Sequence, residues 1–336
     1  LRLGMYIHIR EGSAARNLRE LIQGVNKDNL RRCIFCTDDK HPSDLLTDGS
    51  IDHNIRLAIK SGIDPIDCIK MASLNAAECY GLKGKGAIAP GYYADMVVID
   101  NLEEFNIMEV YKNGKLVAKD NKPLFNLEEM DSSSMMNTVN ISEITEKDLE
   151  IKLNGEKVNV IKLLPYSLIT EKVIREVELE NGVFKPQNDI LKVAVVERHN
   201  KTGNIGLGLV EGFGLKNGAI ASTVAHDSHN IIVIGDNDRD ILMAIHELEK
   251  VGGGITIVSN GEIIDTLALE IAGLMSQKPL GEVNEKLSEM LNVSYEKLKI
   301  NREYEPFMTL SFIALPVIPD IKLTDMGLFY VGEFKF

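Results

Sequence analysis

Cysteine is scarce in this chain: Cys33, Cys36, Cys68 and Cys79 are the only four in 336 residues. That excludes a disulfide-stapled extracellular scaffold, which concentrates its cysteines. Cys33-Ile-Phe-Cys36 has C-x-x-C spacing, but a zinc ribbon needs a second pair at matching spacing and the sequence has none. The pair sits in an apolar, strand-like run, where cysteine behaves as a small buried hydrophobe. Also absent is any apolar run near the ~20 residues that span a bilayer, and no signal-peptide pattern is visible. These absences suit a cytoplasmic protein. There is no dense cluster of Lys and Arg, and 37 basic against 50 acidic side chains leave a net charge of -13. A field of that sign repels phosphates, so neither nucleic acid nor an anionic membrane is an expected partner.

What is present is ordinary for a globular protein: 44% hydrophobic and 26% charged residues, enough for cores in two or three domains. The chain opens on Leu1 rather than Met, which suggests a piece of a longer polypeptide. Residues 5–10 alternate as a strand. Residues 14–23 read as a helix with Ser13 at its N-cap, and 31–37 as a second strand. Helices are predicted over 51–61 and 65–80, the latter opened by Asp64-Pro65. Strand, helix, strand, helix is the order of parallel α/β architecture.

Glycine and proline then crowd Gly84, Gly86, Pro90 and Gly91. A strand follows at 94–100, and a hairpin at 110–117 turns on Asn113-Gly114. A polar stretch over 121–142 reads as a linker. Beyond it a separate α/β or α+β domain is predicted over 143–336. Its strands fall near 193–198, 207–211, 219–224, 231–235 and 255–259, and its helices at 238–251, 265–275 and 281–293. Gly252-Gly253-Gly254 follows a helix and precedes a strand, the reverse of a phosphate loop, so it reads as a helix end.

Thr37-Asp38-Asp39 ends a predicted strand. In a (β/α)8 barrel, catalytic groups stand at the C-terminal ends of strands, where a carboxylate can bind metal and take a proton. Glu11 and Ser13 occupy the equivalent loop after the first strand. They are candidates to hydrogen-bond a substrate; the alternative is helix capping by Ser13 and an ion pair from Glu11. Arg10 and Arg16 read as structural. His226-Asp227-Ser228-His229-Asn230 is a second polar cluster, read as substrate-lining, as a hydrogen-bonded loop or as a metal site.

Longer runs narrow the field. Ser73-Leu74-Asn75-Ala76-Ala77, then Gly86-Ala87-Ile88-Ala89-Pro90-Gly91-Tyr92-Tyr93-Ala94-Asp95-Met96-Val97-Val98, resembles the close of an amidohydrolase barrel. Ile9-Arg10-Glu11-Gly12-Ser13 and Phe35-Cys36-Thr37-Asp38-Asp39-Lys40-His41-Pro42 resemble the adenine deaminase family within that superfamily. So do Val195-Val196-Glu197-Arg198-His199, Ala225-His226-Asp227-Ser228-His229-Asn230 and Leu315-Pro316-Val317-Ile318-Pro319. The resemblance implies an α/β fold. Residues 1–80 would be the last β/α units of a TIM-like metal-dependent hydrolase barrel, 81–120 part of a small β-sandwich, and 143–336 the family's C-terminal domain.

The implied activity is hydrolysis of adenine to hypoxanthine and ammonia at a binuclear Mn2+ or Fe2+ site, in a self-associating enzyme. Asp38 matches the last metal ligand and would relay a proton from water to the leaving amine. Glu11, Ser13, Asp39, His226 and His229 form the expected substrate-binding set. The sequence departs from the pattern in two ways. The H-x-H pair and the other superfamily ligands are missing, and Ser50 stands where histidine is usual. The rival expectation is therefore a non-catalytic remnant or assembly subunit, or another purine-directed amidohydrolase.

Overall fold

The computed structural model describes residues 3–13, 16–126 and 131–336. The chain separates into two units, Leu1–Met130 and Asp131–Phe336. Both mix helices with sheets, as expected of an α/β class protein.

In the first unit, β1 (Ile7–Arg10) and β2 (Cys33–Cys36) pair in parallel, with Arg10 opposite Cys36. Their helices are α1 (Leu18–Leu21), α2 (Pro42–Thr47), α3 (Ile51–Lys60), α4 (Pro65–Ala72) and α5 (Leu74–Cys79). Ile9, Cys33 and Phe35 bury one face of the pair against Leu18, Ile55, Ala58, Cys68 and Met71. The four cysteines are free thiols, and burial raises the pKa of Cys33.

The helix predicted over 65–80 is broken at Ser73, whose φ of -125° and ψ of -81° lie outside the helical region. The helix predicted over 14–23 shortens to α1, followed by a single 3-10 turn; Ala14 and Ala15 lie outside the described residues. Ser13 does not cap it. The Leu18 N–H is instead accepted by Glu11 Oε2 at 3.2 Å.

A four-stranded antiparallel sheet follows: β3 (Met96–Ile99), β4 (Ile107–Lys112), β5 (Lys115–Lys119) and β6 (Lys122–Pro123). Asn113 and Gly114 both have positive φ, 49° and 75°, the backbone that a two-residue hairpin turn requires. Asp95 fastens this turn, accepting from Lys112 Nζ at 2.6 Å, Lys85 Nζ at 2.8 Å and the Asn113 N–H at 2.9 Å. These donors, led by Lys112 and then Lys85, hold its carboxyl below the usual carboxylate range.

A carboxylate with a depressed folded pKa stabilises above its unfolded value, and that stabilisation is lost as pH falls through the folded value. Asp95→Asn is therefore expected to lower the thermal midpoint near neutrality. It should also flatten its fall on acidification below about pH 4. Circular dichroism melts at several pH values check this; a difference between the two proteins that does not change with pH would contradict it.

The second unit is built on an eight-stranded sheet. Its strands are β7 (Lys157–Leu163), β8 (Thr170–Glu176), β11 (Ile190–Val196), β12 (Ile205–Glu211), β13 (Gly218–Ser222), β14 (Ile231–Gly235), β15 (Gly254–Ser259) and β16 (Glu262–Ala268), with a small hairpin of β9 (Leu179–Glu180) and β10 (Val183–Phe184). The spatial order is β16-β15-β13-β14-β11-β12-β7-β8, antiparallel except for the β12–β7 pair.

All seven residues of β11 are buried. Val193 and Val195 join one core with α7 (Leu280–Glu296), α8 (Pro306–Ile313) and the hairpin β17 (Ile321–Thr324)–β18 (Gly327–Tyr330). Ala194 and Val196 join the opposite core under α6 (Asp238–Val251). A sheet covered on both faces needs a continuous apolar strand rather than an alternating one.

Helix α6 has the predicted bounds, with Asn237 accepting the Asp240 N–H and Gly252 ending it at φ 80°. No helix forms over 265–275: residues 265–268 end β16, which pairs with β15 through the turn at Asn260-Gly261, and 271–275 form a turn closed by the Ile271–Met275 bridge. Within the stretch read as a linker, Val139 and Ile141 are buried in the α6-side core, and Asn140 donates its N–H to the Arg198 carbonyl. Among the described residues no helix is long and apolar enough to cross a membrane.

Candidate active site

The parallel β1–β2 pair sends two loops from the same end of the sheet, because parallel strands share a direction. Glu11 N–H donates to the Cys36 carbonyl at 3.1 Å, and Ser13 N–H to the Asp39 carbonyl at 2.8 Å. This lacing brings Glu11, Ser13, Asp38 and Asp39 together, as their positions after the strands predict.

Asp38 Oδ2 accepts from Arg10 Nη1 at 2.7 Å, and Arg10 Nη2 donates to Asn17 Oδ1 at 2.8 Å. The Arg10–Asp38 pair is partly exposed, so it contributes at most about 1 kcal/mol of stability. Its effect is to fix the carboxylate's direction.

Glu11 is buried and helps line a cavity of about 240 Å3 with Arg16, Arg19, Lys40, Asp44, Asp48 and His53. Burial, and then the Lys40 ammonium, lower the pKa of His53, favouring neutral imidazole. Asp38, Asp39 and Ser13 are not among the lining residues. The Ser13 hydroxyl donates to Asp44 Oδ2 at 2.5 Å and accepts the His41 N–H at 2.8 Å, locking one loop to the other. Sequence reasoning passed over Lys40, Asp44 and His53 in this cavity. Lys40 stood inside the family-like run and Asp44 two residues beyond it, but nothing in their spacing marked them as lining residues.

In the second unit, His226 and His229 lie in the loop between β13 and β14. Their rings are 5.7 Å apart, and His226 stacks on Phe312 at 4.5 Å. His229 Nδ1 accepts the Ala225 N–H at 3.2 Å, and the His229 carbonyl accepts from buried Arg198. Burial, then His226 and Arg198, lower the pKa of His229. The loop is tightly bonded, and the His229 imidazole is biased toward its neutral form. Sequence reasoning did not single out Arg198; its place in the Glu197-Arg198-His199 run was the available signal.

Metal binding needs several donors converging on one point. Asp38 supplies one carboxylate, already bonded to Arg10. Among the described residues no group of three or more His, Cys, Asp or Glu side chains is arranged to hold a metal ion.

Residues 8–117 match the amidohydrolase family. Residues 167–335 match the adenine deaminase C-terminal domain, and the chain belongs to that family. The adenine deaminase of Clostridium acetobutylicum is 54% identical over 339 residues, covering 100% of this chain and 60% of its own length. That of Nitratidesulfovibrio vulgaris (strain DP4) is 49% identical over 335 residues, covering 99% and 58%. Adenine deaminase 2 of Carboxydothermus hydrogenoformans is 48% identical over 334 residues, also covering 99% and 58%. The chain thus spans about 60% of the length of these relatives.

Proposed function

We propose that this chain supplies the last barrel strands and the C-terminal domain of an adenine deaminase, which hydrolyses adenine to hypoxanthine and ammonia. The observation that carries the reading is Asp38, held by Arg10 just beyond β2 inside the amidohydrolase-matching segment. Relatives named adenine deaminase match over the whole chain. In this reading residues 1–80 are the end of a TIM-like barrel, 81–120 part of a small β-sandwich and 143–336 the C-terminal domain, whose core also takes in Val139 and Ile141 from the stretch read as a linker.

The reaction adds water to C6 of the purine and breaks the bond to the exocyclic nitrogen. Asp38 takes the proton that the attacking water gives up and returns it to the departing amine, which leaves as ammonia. In this reading Asp38 would be one ligand of a binuclear manganese or iron site, which would supply an activated water when bound.

Glu11 and Asp39 contact the purine from the loop ends. Ser13 acts through the loop that it locks. The substrate is a small molecule, and the enzyme is cytoplasmic and self-associating.

The test is loss of adenine absorbance on conversion to hypoxanthine, with manganese present. It is run on this chain alone and on this chain joined to the part of a relative that it does not span. Turnover in the joined protein alone supports the reading. Turnover in neither, with no metal retained, leaves a non-catalytic assembly subunit.

A further inference from the structure

Strand β8 is the outermost strand of the large sheet and is bonded on one side only, to β7. Thr170 turns its main chain away from β7: it donates to the Pro319 carbonyl at 3.0 Å and accepts the Asp320 N–H at 2.9 Å. Val177, seven residues on, turns inward and donates to the Glu156 carbonyl at 2.8 Å. Alternation along an antiparallel strand then sets the N–H and C=O groups of Lys172, Ile174 and Glu176 outward. Among the described residues these three have no backbone partner on that side. Ile174 is 62% exposed, and Tyr166, Ile169 and Val317 are exposed at the Thr170 end of the edge.

An open edge is a template for another strand, and charges commonly guard it. Here the charges are arranged symmetrically, with Lys172 and Glu176 each two residues from Ile174. Antiparallel pairing with a second β8 centred on Ile174 sets Lys172 opposite Glu176 twice and Ile174 opposite itself. Centring on Lys172 or Glu176 would face like charges. Centring on Val173 would oppose Glu176 to Thr170, whose outer groups are already used, and centring on Arg175 runs past the strand's end. One register satisfies both the charges and the hydrogen bonds.

We propose that two copies of this chain associate through β8, antiparallel about a two-fold axis at Ile174, joining their large sheets edge to edge. The proposal names a surface for the self-association given above and does not depend on the reaction.

The test is sedimentation of the full chain over a concentration series. A species of twice the chain mass is expected. Glu176→Lys sets lysine opposite lysine twice and should weaken association by about tenfold or more. Lys172→Glu with Glu176→Lys restores the opposition and should recover it. Ile174→Pro removes an outward N–H that the fold does not use and should leave a monomer with an unchanged circular dichroism spectrum. A monomer at every concentration would overturn the proposal. So would a dimer indifferent to Glu176→Lys, or one that the double exchange fails to rescue. The charge exchange decides the matter even if the proline variant does not fold.

Discussion

Asp238→Ala is expected to lower the unfolding free energy of the second unit by about 3–5 kcal/mol, the usual cost of stripping one partner from a buried ion pair. Lys192 lies in the middle of β11 with its side chain fully buried. Its ammonium donates to Asp238 Oδ1 and, at 2.5 Å, to the Leu149 carbonyl. Asp238 is the first residue of α6, where the helix dipole also favours a negative charge. Without that carboxylate the ammonium keeps one carbonyl in an apolar layer, and desolvation is no longer offset.

Burial lowers the Lys192 pKa even in the intact pair, with Asp238 opposing the fall. Losing Asp238 pushes it lower still. The unfolded chain then binds more protons than the folded one over a wider range below the ordinary lysine value. Stability of the variant should therefore climb as pH rises toward about 10. Urea unfolding at several pH values measures both effects. Lys192→Met in the same background should recover most of the loss, since it removes the stranded charge. A single-variant cost under about 1 kcal/mol would show that the pair is not buried as described.

Asp38→Asn is expected to reduce adenine turnover by about 10^2- to 10^4-fold in the assembled enzyme, the range that a positioned proton-transfer group supplies. Asparagine keeps the size and one oxygen, so the bond from Arg10 can persist and the loop should stay in place. The loss should therefore appear in kcat, with KM little changed, and the melting curve should match the parent. A variant with near-parental kcat would remove Asp38 from the chemistry and return the Arg10–Asp38 pair to a purely structural part.

Local signals served well wherever a backbone device decides the outcome. Asp64-Pro65 does start a helix, with Asp64 accepting two helix N–H groups, and Gly252 does end one. Asn113-Gly114 does turn a hairpin. The failures share a cause. Residues 265–275 hold many helix formers, but Asn260-Gly261 is a hairpin turn of the same kind, and the neighbouring strand supplies partners that helix propensity cannot outweigh. Strands β7 and β8 were missed because their alternation is blurred by charges at the sheet's outer side. The helix at 65–80 breaks at Ser73, and Asn75 in its second piece is held by tertiary contacts, its side chain donating to the carbonyls of Leu30 and Cys33.

For the candidate site, the sequence alone determined that Asp38, Asp39, Glu11 and Ser13 follow strands, and that the chain carries amidohydrolase and adenine deaminase runs. Those facts depend only on neighbours along the chain. Tertiary structure decided which groups meet: Arg10 with Asp38, Ser13 with Asp44, Lys192 with Asp238, pairs 28, 31 and 46 residues apart. A side chain's reach spans a few residues of sequence. Contacts across such separations are set by strand register and by the packing of helices on the sheet, which emerge only when the whole unit closes around its core.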